Sequence, residues 1–401
     1  MIKTINDKGK PLSLARQILT FLGIFALILV SSHFYLFKRI SYYLQLPEEQ
    51  RTFVALILGC LSFLTLIAIP MNRVLPRKMA TILSWITYPW MGIALLMFVT
   101  LLATDMIWFL LQFIPENYLP EPRLLLQYCL GIMALSITGL LAGFSLWKGM
   151  EPVRVKRLSI TLKRLPQSLD GLRIVQITDL HIGSLIYGNW LQQVVDKVNA
   201  LKPDLIVITG DLVDGSVEEL RDDVAALAEL RARYGTYFIT GNHEYYSGVE
   251  EWCAHIASLG IRVLRNERVS IVAGLAGESF DLAGVDDWVS YHFQAEGPNL
   301  AKALAGRDPN KALILLAHQP VAVHEAAAHG VDLQLSGHTH GGQIWPFNYL
   351  VYLQQPYTKG LYRYSNTETQ VYVSSGTGFW GPPMRLGTSA EITHIILHSV
   401  A

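Results

Sequence analysis

The chain has 401 residues, no net formal charge, 51% hydrophobic residues and only 16% charged ones, which is more apolar than an ordinary soluble domain. Balanced charge offers no basic face to displace counterions from a nucleic acid, so no nucleic-acid partner is expected. Three cysteines without paired spacing exclude a disulfide framework and a thiolate metal site; Cys60, Cys129 and Cys253 read as small buried hydrophobes.

The apolar excess falls in residues 14–147. Four stretches approach the length of about 20 apolar residues that a membrane-crossing helix needs. They lie near Ile18–Phe37, near Phe53–Ile69, from Ala80 past Leu102, and over Leu124–Trp147. Asp105 interrupts the third run, which resumes as MIWFLLQFI and ends at Pro115. That run reads as one long tilted helix or as a helix plus an interfacial segment. The first stretch is long for a signal-peptide core, lacks a small-residue cleavage site and is followed by more spans.

Short-loop lysines and arginines favour the cytoplasmic side. Lys3, Lys8, Lys10 and Arg16 in the tail, Arg73, Arg77 and Lys78 in the second loop, and the basic run from Lys148 to Arg164 outweigh Lys38, Arg39 and Arg51 in the first loop and Arg123 in the third. Both termini are therefore expected inside, in a multi-pass protein of the plasma (inner) membrane with a cytoplasmic C-terminal half. The expected division is a transmembrane region over 1–150, a basic connector over 151–171 that anionic headgroups could also hold, and a soluble domain over 172–401.

From Leu172 the pattern becomes short apolar runs alternating with amphipathic stretches. LRIVQIT, DLIVIT and TYFIT read as strands, and WLQQVVDKVNAL, VEELRDDVAALAELRARY and VEEWCAHIASLG as helices, the last closed by Gly260. This alternation implies βαβ units, hence an α/β fold with a largely parallel sheet. The later runs RVSIVAG, SFDLAG, ALILLA, VDLQLS, QVYVSS and EITHIIL have fewer helices between them and suggest a second sheet.

Ligands of open α/β sheets gather beyond the carboxyl ends of the strands, and here the polar residues do the same. Asp179 and His181 follow the first strand, Asp211 and Asp214 the second, Asn242 and His243 the third; His318, His338 and His340 follow two later ones. Any one of these motifs is weak, because Gly-Asp after a strand is commonly a turn; five in order are specific. Carboxylate, imidazole and amide oxygen without thiolate suit Mn²⁺, Fe²⁺, Zn²⁺ or Co²⁺. Two carboxylates, four histidines and one asparagine suffice for two cations sharing a ligand, which would lower the pKa of a bridging water and clamp a phosphoryl group. Gly210, Gly241 and Gly337 precede these residues, where the chain needs positive φ or close approach to the metals.

Asp179-x-His181, Gly210-Asp211, Gly241-Asn242-His243-Glu244, His318 and Gly337-His338-Thr339-His340, in that order, resemble the calcineurin-like metallophosphoesterase superfamily over about residues 172–398. GHTHGGQ and YVSSGTGFWGPPMRLG resemble more closely its bacterial membrane-associated branch, the YkuE/YaeI-type phosphoesterases. The resemblance implies a four-layer α/β/β/α sandwich and hydrolysis of a phosphoester, phosphodiester or pyrophosphate bond by a metal-bridging hydroxide. It implies that Asp179, His181 and His340 hold the first cation, that Asp211 bridges, and that Asn242, His318 and His338 hold the second. It makes His243 the general acid, oriented by Asp214.

The protein Ser/Thr phosphatase branch has Arg directly after the second Asp of its GDxVD stretch. Here Gly215 and Ser216 follow Asp214, which argues against a phosphoprotein substrate. Arg385, in a Gly/Pro-rich loop, is a candidate contact for a substrate phosphate; Asp286 and Asp287 read as a turn. The apolar anchor favours a lipid-linked substrate. The alternatives are a non-catalytic membrane sensor or scaffold with a structural metal site, which would not need His243 and Asp214, and a transporter, which would need more intramembrane charge than Asp105.

Overall fold

In the computed structural model, which describes residues 14–72, 74–115, 123–273 and 277–400, the apolar N-terminal third forms four long helices. They are α1 (Leu14–Tyr43), α2 (Glu48–Met71), α3 (Arg77–Leu111) and α4 (Arg123–Gly149). All four are long and apolar enough to cross a membrane. Lys3, Lys8, Lys10 and Arg73, on which the expected sidedness partly rests, lie outside the described residues.

The chain divides into two compact units. The first is the helical part through Met150 together with Gly381–Leu386; the second is Glu151–Trp380 with the chain from Gly387 onward.

Within the first unit, α3 runs unbroken for 35 residues through Asp105, which decides between the two readings of that stretch. The carboxylate does not end the helix because three groups of α1 satisfy it. Tyr35 and Tyr43 donate their hydroxyls to it at 2.6 and 2.8 Å, and Arg39 Nε lies 2.7 Å away. Charge inside an apolar bundle persists when paired in this way. Gly131 of α4 provides the other close contact: a Cβ there would sit 2.6 Å from Tyr43 Cβ, the small-residue approach typical of helices packed in lipid.

The second unit opens with β1 (Arg154–Leu162), so the basic stretch is an edge strand. Then come β2 (Leu172–Ile177), α5 (Gly188–Ala200), β3 (Leu205–Thr209), α6 (Val217–Val224), β4 (Thr236–Ile239), α7 (Asn242–Ser247), α8 (Val249–Ser258) and β5 (Arg262–Val263). The remainder is β6 (Glu267–Val272), β7 (Ser279–Gly284), α9 (Leu300–Ala303), β8 (Leu313–Leu316), α10 (Val323–Ala328), β9 (Leu333–Ser336), α11 (Asn348–Val351), β10 (Gly360–Arg363), β11 (Gln370–Val373) and β12 (Glu391–Ser399).

Two six-stranded sheets result, in the orders β1-β12-β2-β3-β4-β5 and β10-β11-β9-β8-β7-β6. EITHIIL, expected in the second sheet, is β12 of the first, antiparallel to β2 and parallel to β1. The strands are continuously apolar because both faces are covered. On β3, Leu205 and Val207 face the other sheet, where Leu282, Ile314 and Leu335 meet them. Ile206 and Ile208 face Val195 of α5, Val224 of α6 and Trp252 of α8. Leu313 and Leu315 of β8 pack outward on Leu300 of α9 and Ala326 of α10. Helices, sheet, sheet and helices thus form four layers.

Candidate metal centre

Parallel strands end together, so the loops leaving β2, β3, β4, β8 and β9 converge at one end of the second unit. They also hold each other. Asp179 N–H donates to Gly210 O (3.0 Å), His181 N–H to Asp211 O (3.2 Å) and Gly337 N–H to His318 O (2.9 Å). Five of the converging side chains stand on left-handed backbone: Asp179 (φ +52°), His181 (+48°), Asp211 (+52°), His338 (+70°) and His340 (+49°). Each such residue costs about 1–3 kcal/mol and persists only where its surroundings over-determine it. The glycines fit the same turns. Gly210 has φ +88°, and a Cβ on Gly337 would collide with the Asp179 carboxylate.

These loops bring the expected ligands together. Asp179, His181 and His340 form one set with ligand atoms within 4.8 Å of one another; Asp211, His318 and His338 form another. Asp211 lies between them, its Oδ2 3.1 Å from His318 Nε2 and 3.9 Å from His181 Nε2. Asn242 joins the second set with its Oδ1 3.0 Å from His338 Nδ1.

Hydrogen bonds fix which ring nitrogens face inward. His318 Nδ1–H donates to Thr209 O (2.7 Å), aiming Nε2 at Asp211. His181 Nδ1–H donates to Asp214 Oδ1 (3.1 Å), so its Nε2 points at His340 Nε2, 3.1 Å away. His340 Nε2 is in turn 3.5 Å from Asp179 Oδ1. Electron-pair donors aimed at one another repel unless a proton or cation lies among them. Bonds of about 2.0–2.2 Å to a cation place neighbouring donors about 3 Å apart, which is the spacing seen. The residues therefore fit two divalent cations.

Burial and neighbouring charge act in opposite directions on these groups: the Asp211 carboxylate holds the His318 ring well above its usual range against burial. Asp179, His181, Asp211 and His318 are buried. Burial pushes the Asp179 carboxyl up. At Asp211 burial pushes the same way, but His318, His243 and His181 outweigh it and hold the carboxyl well below its usual range. Burial beside the His318 ring lowers His338 to about 3, leaving it neutral, as a ligand must be.

His243 stands beside these sets. Its Nδ1–H donates to Asp214 Oδ1 at 2.5 Å and its backbone N–H to Asp211 Oδ1 at 2.9 Å. Burial would lower its pKa, but the Asp214 and Asp211 carboxylates raise it to about 9, so the ring carries a proton at neutral pH. His181 and His243 overcome burial at Asp214 and hold that carboxyl below its usual range. Tyr246 and Trp380 stand edge-on to the His243 ring, centroids 5.5 and 5.9 Å away.

Sequence reasoning passed over several residues here. Glu244, quoted only as part of GNHE, is fully buried. It accepts the N–H groups of Gly241 (2.6 Å), Leu212 (2.7 Å) and Asp211 (3.0 Å), tying two ligand loops to one carboxylate. A glutamate three residues after the loop glycine, at a helix start, carries that signal. Gln343 clamps Trp380 by bonding its O and N–H at 2.9 and 3.1 Å. Asp286 and Asp287 are more than a turn: Arg265 Nε donates to Asp286 (3.0 Å), and Asp287 accepts from Val289 N–H (2.8 Å) and Gln319 Nε2 (3.0 Å). Arg385 is fully buried in the Gly381–Leu386 segment of the first unit, its backbone N–H donating to Ser145 O (2.9 Å).

Comparison with known proteins agrees with this geometry. A sequence model described as calcineurin-like phosphoesterase matches residues 172–342, a span that includes all seven candidate ligands, Asp214 and His243. A transmembrane protein with metallophosphoesterase domain from Bos taurus is 45% identical over 276 residues, covering 67% of this chain and 62% of that protein. The chain therefore matches less than two thirds of that relative's length. An uncharacterized metallophosphoesterase of Aquifex aeolicus is 32% identical over 253 residues, 61% of this chain and 92% of that one. The uncharacterized metallophosphoesterase YkuE of Bacillus subtilis is 32% identical over 267 residues, 64% and 90%.

Proposed function

Because the chain belongs to the calcineurin-like phosphoesterase family, we propose that it is a metal-dependent phosphoric ester hydrolase carried by a membrane. The observation that bears most weight is the position of Asp211 between the His181 and His318 sets. In this reading Asp179, His181 and His340 hold one cation, Asn242, His318 and His338 the other, and Asp211 serves both. Bound cations would supply Lewis-acid activation of water and neutralise phosphoryl charge.

The chain's own residues do the rest. Asp214 keeps the His181 ring turned toward the ligand set and holds Nδ1–H of His243. Protonated His243 then offers its Nε2–H to the departing oxygen, a role worth about 10²–10⁴-fold in rate. Glu244 keeps the Asp211 and Asn242 loops in register. The span of four apolar helices favours an ester carried by a lipid, and the lysine and arginine distribution favours a cytoplasmic site.

The test is hydrolysis of bis(p-nitrophenyl) phosphate and p-nitrophenyl phosphate by the purified full chain with Mn²⁺, against chelator and His243→Ala controls. Turnover abolished by chelator is expected, with a measurable but modest reduction by the substitution, because p-nitrophenolate leaves with little help from an acid. Turnover indifferent to both would overturn the reading, and no turnover on any ester would favour a sensor with a structural metal site.

A further inference from the structure

A second feature of the catalytic unit begins immediately after the ligand loop. From Gly341 to Thr358 there is no Asp, Glu, Lys or Arg, and the stretch contains Trp345, Phe347, Tyr349, Leu350, Tyr352 and Leu353. All six are exposed, from 46% at Trp345 and Phe347 to 80% at Leu353. Isolated exposed apolar residues are ordinary, but six within nine positions form a patch that water penalises unless something covers it.

The patch is built on a fixed base. Thr339, between His338 and His340, donates its hydroxyl to Thr358 O at 2.5 Å. Gln355 accepts Val321 N–H (3.0 Å) and donates to Gln319 Oε1 (3.1 Å). The apolar side chains thus project from a segment whose two ends are pinned beside the candidate ligands His338, His340 and His318.

We propose that this face inserts into the headgroup region of the lipid bilayer. Trp, Tyr and Phe with leucines, and no charge, is the composition that favours the membrane interface, where aromatic rings bury an apolar body and keep a polar edge wet. A protein partner would be met by a rim carrying charged as well as polar groups, and this stretch has no charged residue. The occupant is also at hand. Only Met150–Val153 separate the last apolar helix from β1, a tether of roughly 18 Å even when extended, so the catalytic unit cannot leave the membrane surface.

Insertion would seat the ligand loops at the lipid headgroups. The substrate class is then a phosphate ester of a membrane-resident lipid. That class rests on the phosphoesterase reading, whereas the insertion rests only on the apolar helices being spans.

The experiment uses the full chain in phosphatidylcholine–phosphatidylglycerol nanodiscs. Tryptophan emission of the wild type minus that of Trp345→Phe isolates Trp345. It is quenched in turn with lipids brominated close to the headgroup, lipids brominated near the chain end, and aqueous iodide. Insertion to a depth of roughly 5–10 Å predicts loss of most Trp345 emission with headgroup-proximal bromine and little with iodide; Leu350→Asp with Leu353→Asp should reverse the pattern. Quenching by iodide alone would overturn the proposal, as would protection from all three, which would mean a protein cover. Hydrolysis of a soluble ester is measured on the same discs. Insertion without hydrolysis would reject the enzyme reading alone, and hydrolysis without insertion would reject this proposal alone.

Discussion

Asp214 Oδ1 accepts the Nδ1–H of His243 at 2.5 Å, and the same oxygen accepts from His181 at 3.1 Å. One carboxylate therefore orients both a candidate ligand and the candidate acid. The two duties separate by substitution. His243→Ala should lower hydrolysis of an alkyl phosphate ester about 10²–10⁴-fold, with a smaller loss for a p-nitrophenyl ester, whose leaving group needs no proton, and with metal content unchanged. Asp214→Ala should add a weakening of metal affinity of about 10–100-fold, because His181 loses the partner that fixes its ring. Metal titration beside kinetics on both esters checks this; equal metal affinities in the two variants would refute the shared role.

Among the candidate ligands, Asp211 is the carboxylate that reaches a histidine of each set. His340→Ala should therefore leave the second cation in place, and metal analysis of the purified variant should find about half the wild-type content. Asp211→Ala should lose the second cation, whose set is left with imidazoles and an amide and no negative charge, and should weaken the first, which keeps only the Asp179 carboxylate. Loss of both in His340→Ala would mean a single cooperative site.

Removing the cations should also loosen the unit. Asp179, His181, Asp211, His338 and His340 are held at positive φ while the ring nitrogens of His181 and His340 face each other, and an ion that binds only the folded state at 100 times its Kd adds about 2.7 kcal/mol. For a domain of this size that is roughly 5–10 °C in transition temperature. Thermal scanning of the full chain with and without chelator should show the soluble unit melting earlier by this amount, and restoration by Mn²⁺. An unchanged transition would mean that the loops hold their shape without metal.

Much of this site can be read from the residues alone, because a strand end followed by Asp, Asn or His has few other uses when it recurs five times. What could not be read is instructive. Neither Asp nor His announces a left-handed backbone, so the strain at Asp179 or His340 is visible only once the loops are seen bonded to each other. β12 alternates in the same way whichever sheet it joins, and only its pairing with β1 and β2 places it. The continuity of α3 through Asp105 depends on Tyr35, Arg39 and Tyr43, more than sixty residues away.

Glu244 illustrates a residue whose importance lies in backbone rather than substrate. It takes three buried N–H groups, and Glu244→Ala would leave them unsatisfied at about 1–3 kcal/mol each before relaxation. A net loss on the order of 3 kcal/mol is expected, with lowered metal content from the displaced Asp211 and Asn242 loops. Glu244→Gln keeps an oxygen for part of the set and should recover much of the stability. Denaturation and metal analysis of both variants check this; an alanine variant as stable as the wild type would show that water replaces the carboxylate.

The Arg39–Asp105 pair makes a parallel test in the helical unit. Asp105→Leu would leave Arg39, whose Nε is 2.7 Å from the carboxylate, as an unpaired cation on an apolar helix, at about 2.5–3.5 kcal/mol. Adding Arg39→Met should return most of that, because the polarity that one substitution strands the other removes, and replacing an ion pair by packed apolar groups is often close to neutral. Unfolding in mixed micelles, followed by helicity, measures the single and double variants. A double variant as unstable as Asp105→Leu alone would mean that the Tyr35 and Tyr43 hydroxyls, not Arg39, are what need the carboxylate.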